Sequence, residues 1–290
     1  MEKFIGLAAD GIAYGAILAL VALGFLVLYK ATGIINFAHG ELITLGAYLA
    51  VWATGDLGLT PVPGYLVALA LMAVIGVVLE RIVRAPLRGK PMLVVVIATL
   101  AAAIVIRGLI ALWQGSYPQA LVSPVGLRVV HIGGAAVAQQ RILIVVVAAV
   151  SIAGLMVLFG RTSFGRQVRA LAADPDTAAL QGVRRTYVAM AAFALSAVLA
   201  GLAGILVAPL SAVDLNFGFG LMVTAFAVAV IGGFGSFGGV VVGALMIGIV
   251  EKLVGGYFFP DYADLLPYVL MFVVIAVRPE GLVAVERSRL

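Results

Sequence analysis

Gly160-Arg-Thr-Ser-Phe-Gly-Arg-Gln-Val-Arg-Ala-Leu-Ala-Ala-Asp-Pro-Asp-Thr-Ala-Ala-Leu-Gln-Gly-Val-Arg-Arg-Thr186 is a polar island in an apolar chain. It carries five arginines, has the composition of a short helix, and stands between two long apolar runs. A segment of this kind must lie in water on one side of a membrane. A chain with so little other polar mass is expected to keep an ordered polar loop for contact with a partner.

Composition supports this reading. The chain is 64% hydrophobic and 11% charged, with a mean hydropathy of +1.23. Soluble domains average about 45–50% apolar and about 25% charged, so a soluble fold is excluded. Apolar runs near the length of a spanning helix recur along the chain. The short alternating segments of a membrane β-barrel do not. The fold class expected is therefore all-α, a polytopic transmembrane helical bundle forming one domain over residues 1–290. With no cysteine and two histidines, no disulfide framework, metal centre or cofactor is expected. The net charge of +5 is explained by loops between spans and not by nucleic-acid binding.

The candidate spans are 4–29, 35–53, 62–83, 91–113, 141–159, 187–209, 219–254 and 264–277. The first is too long for the apolar core of a cleavable signal. The seventh is too long for one helix and is broken by Gly232-Gly-Phe-Gly-Ser-Phe-Gly-Gly239, so eight or nine spans are expected. Small-xxx-small pairs such as Gly11/Gly15, Ala197/Gly201 and Ala200/Gly204 point to close helix packing.

Positive charge sets the orientation. Arg81, Arg84, Arg88 and Lys90, the five arginines of 160–186, and Arg278, Arg287 and Arg289 all belong on the cytoplasmic side. Nine crossings satisfy this with an external N-terminus and a cytoplasmic C-terminus. Segment 114–140 is then external, either an extended loop or a small hairpin.

Two further constellations stand out. Asn36-Phe-Ala-His-Gly-Glu41 restarts the chain after the first span. Asn36 suits a helix cap, and Glu41 suits the positive end of the helix macrodipole. This is either a plain capped start or a broken element beside a pathway, as in transporters. The Gly232–Gly239 break must be buried or line a cavity, because freed backbone groups need partners in lipid. Arg107 is the most interior charge and a candidate functional residue, with snorkelling as the plainer account. Glu80/Arg81 and Glu251/Lys252 are adjacent opposite charges expected at the interface.

Three stretches then carry a resemblance. The first is Asn36–Glu41 after the span Gly15–Gly24. The second is Arg169–Val183 followed by Phe193-Ala-Leu-Ser-Ala-Val-Leu-Ala-Gly-Leu-Ala-Gly204. The third is Ile231–Val240. In this order they resemble the branched-chain amino acid ABC importer permeases, in the form of the smaller permease subunit. The resemblance implies a permease of the bacterial or archaeal cytoplasmic (inner) membrane. It also implies a second permease subunit, as a homo- or heterodimer, two cytoplasmic ATP-binding cassette subunits, and a periplasmic or extracellular substrate-binding protein.

The resemblance gives loop 160–186 a role as the segment that couples to the ATPase. Arg169, Asp174, Pro175, Asp176, Thr177, Ala179, Leu180 and Gly182 are its candidate residues. The local chemistry fits independently. Asp174-Pro-Asp176 can start a helix with Asp as cap and Pro at the first position, Thr177–Leu180 would form a contact ridge, and Gly182 can end it. Candidates for the translocation path are Asn36, His39, Glu41, Gly232, Gly233, Gly235 and Ser236.

The chain has no phosphate-binding loop of the form G-x-x-x-x-G-K-[ST], so it is not expected to be an enzyme and ATP would be hydrolysed on another subunit. An amide or urea permease is an alternative within the family. An ion-coupled secondary transporter would need an intramembrane carboxylate cluster that the sequence does not provide. An intramembrane serine hydrolase fails because Phe234, not glycine, lies two residues before Ser236.

Overall fold

A computed structural model describes residues 1–126 and 128–278. Arg287 and Arg289 lie outside the described residues. The elements are α1 (Glu2–Thr32), α2 (His39–Gly55), α3 (Pro61–Leu79), α4 (Met92–Gln114), β1 (Val129–Ile132), β2 (Ala135–Ala138), α5 (Gln139–Arg161), α6 (Ser163–Ala173), α7 (Pro175–Leu180), α8 (Arg185–Val207), α9 (Phe217–Gly232), α10 (Phe237–Tyr257) and α11 (Leu266–Val277). Among the described residues, 7 helices are long and apolar enough to cross a membrane. The 16-residue α9 is a shorter apolar helix, and α2 has 17 residues. The protein is an all-α polytopic membrane protein.

The long helix α1 is the hub. It packs against α10, α8, α9 and α5, and Leu18 to Leu23 are essentially inaccessible. A helix apolar on every side, with neighbours on every side, belongs in the middle of a bundle. Its 31 residues extend about 46 Å at 1.5 Å per residue, beyond a bilayer core of about 30 Å. The surplus N-terminal turns are covered by the hairpin β1–β2, whose antiparallel register pairs Val129 with Ala138 and Ile132 with Ala135. Segment 114–140 thus holds a small hairpin, the second of the two expected forms.

Small residues set the closest helix contacts. A Cβ at Gly11 would lie 2.6 Å from Ile249 Cα, and one at Gly15 would lie 2.8 Å from the Ala244 carbonyl. From the other side, a Cβ at Gly248 would come 2.5 Å from Gly15 N. Helices α1 and α10 therefore touch backbone to backbone. Gly46 of α2 meets Gly201 of α8 in the same way, and Gly204 meets the Ile43 carbonyl. In lipid, such contact replaces the hydrophobic drive that packs soluble helices.

The expected break at 232–239 is a full turn. Helices α9 and α10 lie antiparallel, with Gly232 beside Val240 and Gly243 beside Gly232 and Val228. Gly233 takes φ 86°, and Ser236 Oγ accepts from Gly239 N at 3.1 Å to cap α10. A left-handed residue followed by a side-chain cap reverses the chain, where a merely bent helix would continue it.

The helix ends form two groups. At one end Lys30 Nζ donates to the Gly235 carbonyl at 2.6 Å, Phe159 stacks on Phe237 at 4.7 Å, and Arg88 donates to Thr186 Oγ at 3.0 Å. At the other end Gln119 bridges Val213, Tyr65 donates to the Val122 carbonyl at 2.7 Å, and Gln140 Nε2 donates to the Leu206 carbonyl at 2.8 Å. Loop 160–186 lies at the first end.

Candidate functional site

Helix α1 ends at Gly33, whose left-handed φ of 71° lets its N–H return to the Tyr29 carbonyl. The next residues run back into the bundle without helical structure. Helix α2 begins only at His39, beside Gly24 of α1. That point lies about 12 Å below the end of α1 at 1.5 Å per residue. Non-helical backbone at this depth needs partners. Asn36 Oδ1 accepts from Ala38 N at 3.0 Å, His39 N donates to the Asn36 carbonyl at 3.3 Å, and Phe37 N donates to Thr99 Oγ on α4 at 3.3 Å.

Asn36 therefore organises the turn before the helix and does not cap it. The cap position is Ala38, which offers no side-chain acceptor. The Asn36 oxygen is used two residues on, an arrangement in which Asn competes with helical hydrogen bonding.

His39 is completely buried. Its Nε2 lies 3.1 Å from the Val21 carbonyl, and its Nδ1 lies 3.3 Å from Ser196 Oγ. A carbonyl can only accept, so Nε2 carries the proton and Nδ1 accepts from the serine hydroxyl. The ring lies 4.3 Å from that of Phe25. Gly24 is glycine because a Cβ there would sit 2.7 Å from His39 Cε1. His39 thus joins α2 to α1 and α8 as a buried strut.

Two residues further along α2, Glu41 is 4% exposed and accepts from Arg107 of α4 through Nε at 3.1 Å and also through the terminal guanidinium nitrogen. The other Glu41 oxygen has no partner among the described residues. The Arg107 side chain is 38% exposed. It does not snorkel to the interface but pairs inward with a carboxylate. This pair, Asn36, Thr99 and the non-helical backbone of 34–38 form a polar seam within the span region.

The glycine-turn candidates lie elsewhere. Gly232, Gly233, Gly235 and Ser236 sit at the opposite end of α1 from its hairpin, held by Lys30. Phe237 then contacts Phe159, and Arg169 donates to the Phe159 carbonyl. The turn accordingly packs on the base of loop 160–186 and not on the seam.

The loop is ordered as two helices. In α6, Gly165, Val168 and Leu171 are buried and anchor it. The Asp174 side chain then caps α7, with Oδ1 accepting from Asp176 N at 2.9 Å and Thr177 N at 3.2 Å, and Oδ2 from Thr177 Oγ at 2.5 Å. The Thr177 hydroxyl and these backbone donors hold the carboxyl below its usual range. Pro175 occupies the first helical position. Gly182, φ 85°, returns its N–H to the Ala179 carbonyl at 3.0 Å. Ala178 faces inward, while Leu180 is 90% exposed, so the expected ridge Thr177–Leu180 is interrupted. A helix of period 3.6 cannot show four consecutive residues on one face. Arg185 holds Asp176 at 2.6 Å.

Two of the four charges expected at the interface, Glu80 and Glu251, are buried instead. Glu80 is fully buried and pairs with Arg84 at 3.2 Å and Arg88 at 2.6 Å, whereas Arg81 is exposed. Neighbours in sequence point to different sides of a helix, and residues four apart share one. Glu251 is buried too, paired with Lys252 at 2.9 Å. Adjacency in sequence hid the Glu80 brace; its i, i+4 spacing was the available signal. Among the described residues no group of three or more His, Asp or Glu side chains is placed to hold a metal ion.

The chain is thus a multi-pass membrane protein with a buried polar seam in its spans and a separate ordered loop at one end. The profile of the family described as branched-chain amino acid transport system / permease component matches residues 7–275, and the chain belongs to that family. It is 31% identical to the high-affinity branched-chain amino acid transport system permease protein BraD of Pseudomonas aeruginosa, over 94% of this chain and 93% of that one. It is 29% identical to LivH of Escherichia coli K12 over the same shares. It is 27% identical to a probable branched-chain amino acid transport permease, LivH, of Methanocaldococcus jannaschii, over 96% and 92%. These relatives are permease components of transport systems.

Proposed function

We propose that this chain is the permease subunit of an ATP-binding cassette importer. It carries branched-chain or similar hydrophobic amino acids, which an external binding protein delivers, across a bacterial or archaeal cytoplasmic membrane. Two cytoplasmic ATPase subunits supply the power, and a second permease subunit, identical or homologous, completes the path. Nine helices, α1–α5 and α8–α11, cross the membrane. The N-terminus is outside, and the end bearing Arg84, Arg88, Lys90 and loop 160–186 is cytoplasmic.

The observation that carries this reading is α7. It is a six-residue helix, capped at both ends, presenting an almost wholly exposed Leu180 at the basic end of the bundle. An isolated helix of that length is unstable in water. Its capping and anchoring are those of a surface kept in shape for a partner, and we assign it to the ATPase.

The polar seam supplies the second half. A half-exposed guanidinium within a span is costly against lipid. The face carrying Arg107 is therefore assigned to an aqueous path or to the partner permease. Arg107 faces it, Glu41 and Asn36 stand behind Arg107 in the seam, and His39 positions the start of α2.

The test is reconstitution of the chain with candidate ATPase, permease and binding-protein partners in proteoliposomes, followed by uptake of labelled leucine. Replacing Ala179 and Leu180 together with Asp should abolish ATP-driven uptake while leaving membrane insertion intact. Undiminished uptake in that variant would overturn the assignment of α7.

A further inference from the structure

Helix α4 has two very different sides. Arg107 and Thr99 face α2 and the seam. Beside that face, Ala98, Ala101, Val105 and Leu109 look toward Ile75 of α3 and Ile82, on the span that α3 continues to Leu87, across an apolar groove of about 810 Å3 whose wall also includes Ile106 and Ile110 of α4 and Leu45 of α2. The groove follows α4 from Ala98 to Trp113 and is closed at its other end by Val83, Pro86 and Leu87.

Leu87 also stands in the wall of a second cavity, of about 510 Å3. This one is basic: Arg84, Arg88, Lys90 and Arg185 line it together with Gly33 and Thr186. Arg84 and Arg88 share a single buried carboxylate, Glu80, and Arg185 is paired with Asp176. Four cations thus face two anions, and Arg84 Nε has no partner among the described residues. A positive excess stands next to Leu87, the residue the basic cavity shares with the apolar groove.

We infer that this composite site binds an anionic phospholipid, its phosphate headgroup among Arg84, Arg88 and Lys90 and an acyl chain in the groove between α3 and α4. The two chemistries, side by side at Leu87, match the two ends of one such molecule. A soluble anion would use the basic cavity alone, and a zwitterionic lipid would gain nothing from the excess positive charge. Basic pockets at helix ends are a known form of headgroup site. The inference depends on the membrane placement of the helices but not on what is transported.

The assembled complex can be purified after incubation with equal amounts of phosphatidylglycerol and phosphatidylcholine and the bound lipids counted by native mass spectrometry. The wild type should retain phosphatidylglycerol preferentially. Lys90→Gln should reduce that preference about fivefold, the worth of one basic residue near a charged surface. Ala101→Trp should fill the groove and lower retention of phosphatidylglycerol, and Ala98→Leu should do so more weakly. Equal retention of the two lipids by the wild type would overturn the inference. So would retention of phosphatidylglycerol that is unchanged in Ala101→Trp. The chain contains no cysteine, so Val105→Cys gives a clean probe of the remaining occupant. Efficient cross-linking of that variant to the partner permease in the bilayer would show the groove filled by protein and sink the lipid assignment.

Discussion

Arg107 on α4 donates its Nε–H to Glu41 on α2 across 3.1 Å, inside the region of the spans. The two side chains are unequal. The carboxylate is enclosed, with one oxygen unpartnered among the described residues, while the guanidinium is partly open. Removing one member of a buried pair leaves the other uncompensated, at a cost of about 3–5 kcal/mol. Arg107→Gln should therefore lower thermal stability in detergent substantially, and Glu41→Gln in the same chain should restore much of it. Uptake should stay low in the double variant, because the seam has lost both charges. A double variant as unstable as Arg107→Gln alone would show that the pair is not coupled.

Close helix contact predicts opposite outcomes for two glycines. Gly46 faces the backbone of Gly201 with no room for a methyl group, whereas a Cβ at Gly108 would meet nothing within 4 Å. Gly46→Ala should destabilise by about 1–3 kcal/mol through overpacking. Gly108→Ala should stabilise by about 0.5–1 kcal/mol, since it only removes backbone freedom from the unfolded chain. Melting temperatures of the two purified variants decide it. Equal shifts would mean that α2 and α8 do not touch at Gly46.

Much of this architecture is legible in the sequence because lipid imposes simple rules. Apolar run length marks helices, and arginine placement marks one side. Asp174-Pro175 and Gly182 marked the ends of α7 because caps are local chemistry. What stayed hidden depends on three-dimensional adjacency. Glu80 stands beside Arg81 in sequence but pairs with Arg84 and Arg88, and Arg107 meets a carboxylate 66 positions away. The glycine run at 232–239 announced a break. Whether the chain bends or reverses there depended on the φ of Gly233 and on the surface that receives Phe237, neither of which is a property of composition. The six residues before His39 look like an ordinary short connection, and only their depth beside α1 makes them part of a seam.

Gly24 and His39 form a matched pair. A methyl group at position 24 would sit 2.7 Å from the ring, and the ring cannot move away without losing its bonds to Val21 and Ser196. Gly24→Ala should be strongly destabilising in the native background and nearly neutral once His39 is Ala. The coupling in a double-mutant cycle should fall within the 0.5–3 kcal/mol typical of residues in contact. Additive effects on the melting temperature would contradict the packing of the ring against α1.

The cap of α7 makes a prediction about pH. Asp174 accepts from Asp176 N, Thr177 N and Thr177 Oγ, and these bonds hold its carboxyl below the usual value. A depressed carboxyl contributes order that is complete above its unfolded value of about 3.9 and is lost only as pH falls through the lower folded value. The cap is therefore fully formed across the neutral range, and any loss of coupled activity between pH 8 and pH 5 must originate elsewhere. Substitution tests the cap without acid. Asn keeps a capping oxygen and Ala does not, so amide protection of Asp176 and Thr177 against hydrogen exchange at pH 7 should fall slightly in Asp174→Asn and sharply in Asp174→Ala. ATP-driven uptake should decline in the same order, because a frayed α7 no longer presents Leu180 in a fixed position. Full protection in Asp174→Ala would mean that α7 is held by Arg185 and the buried Ala178 instead of by its cap.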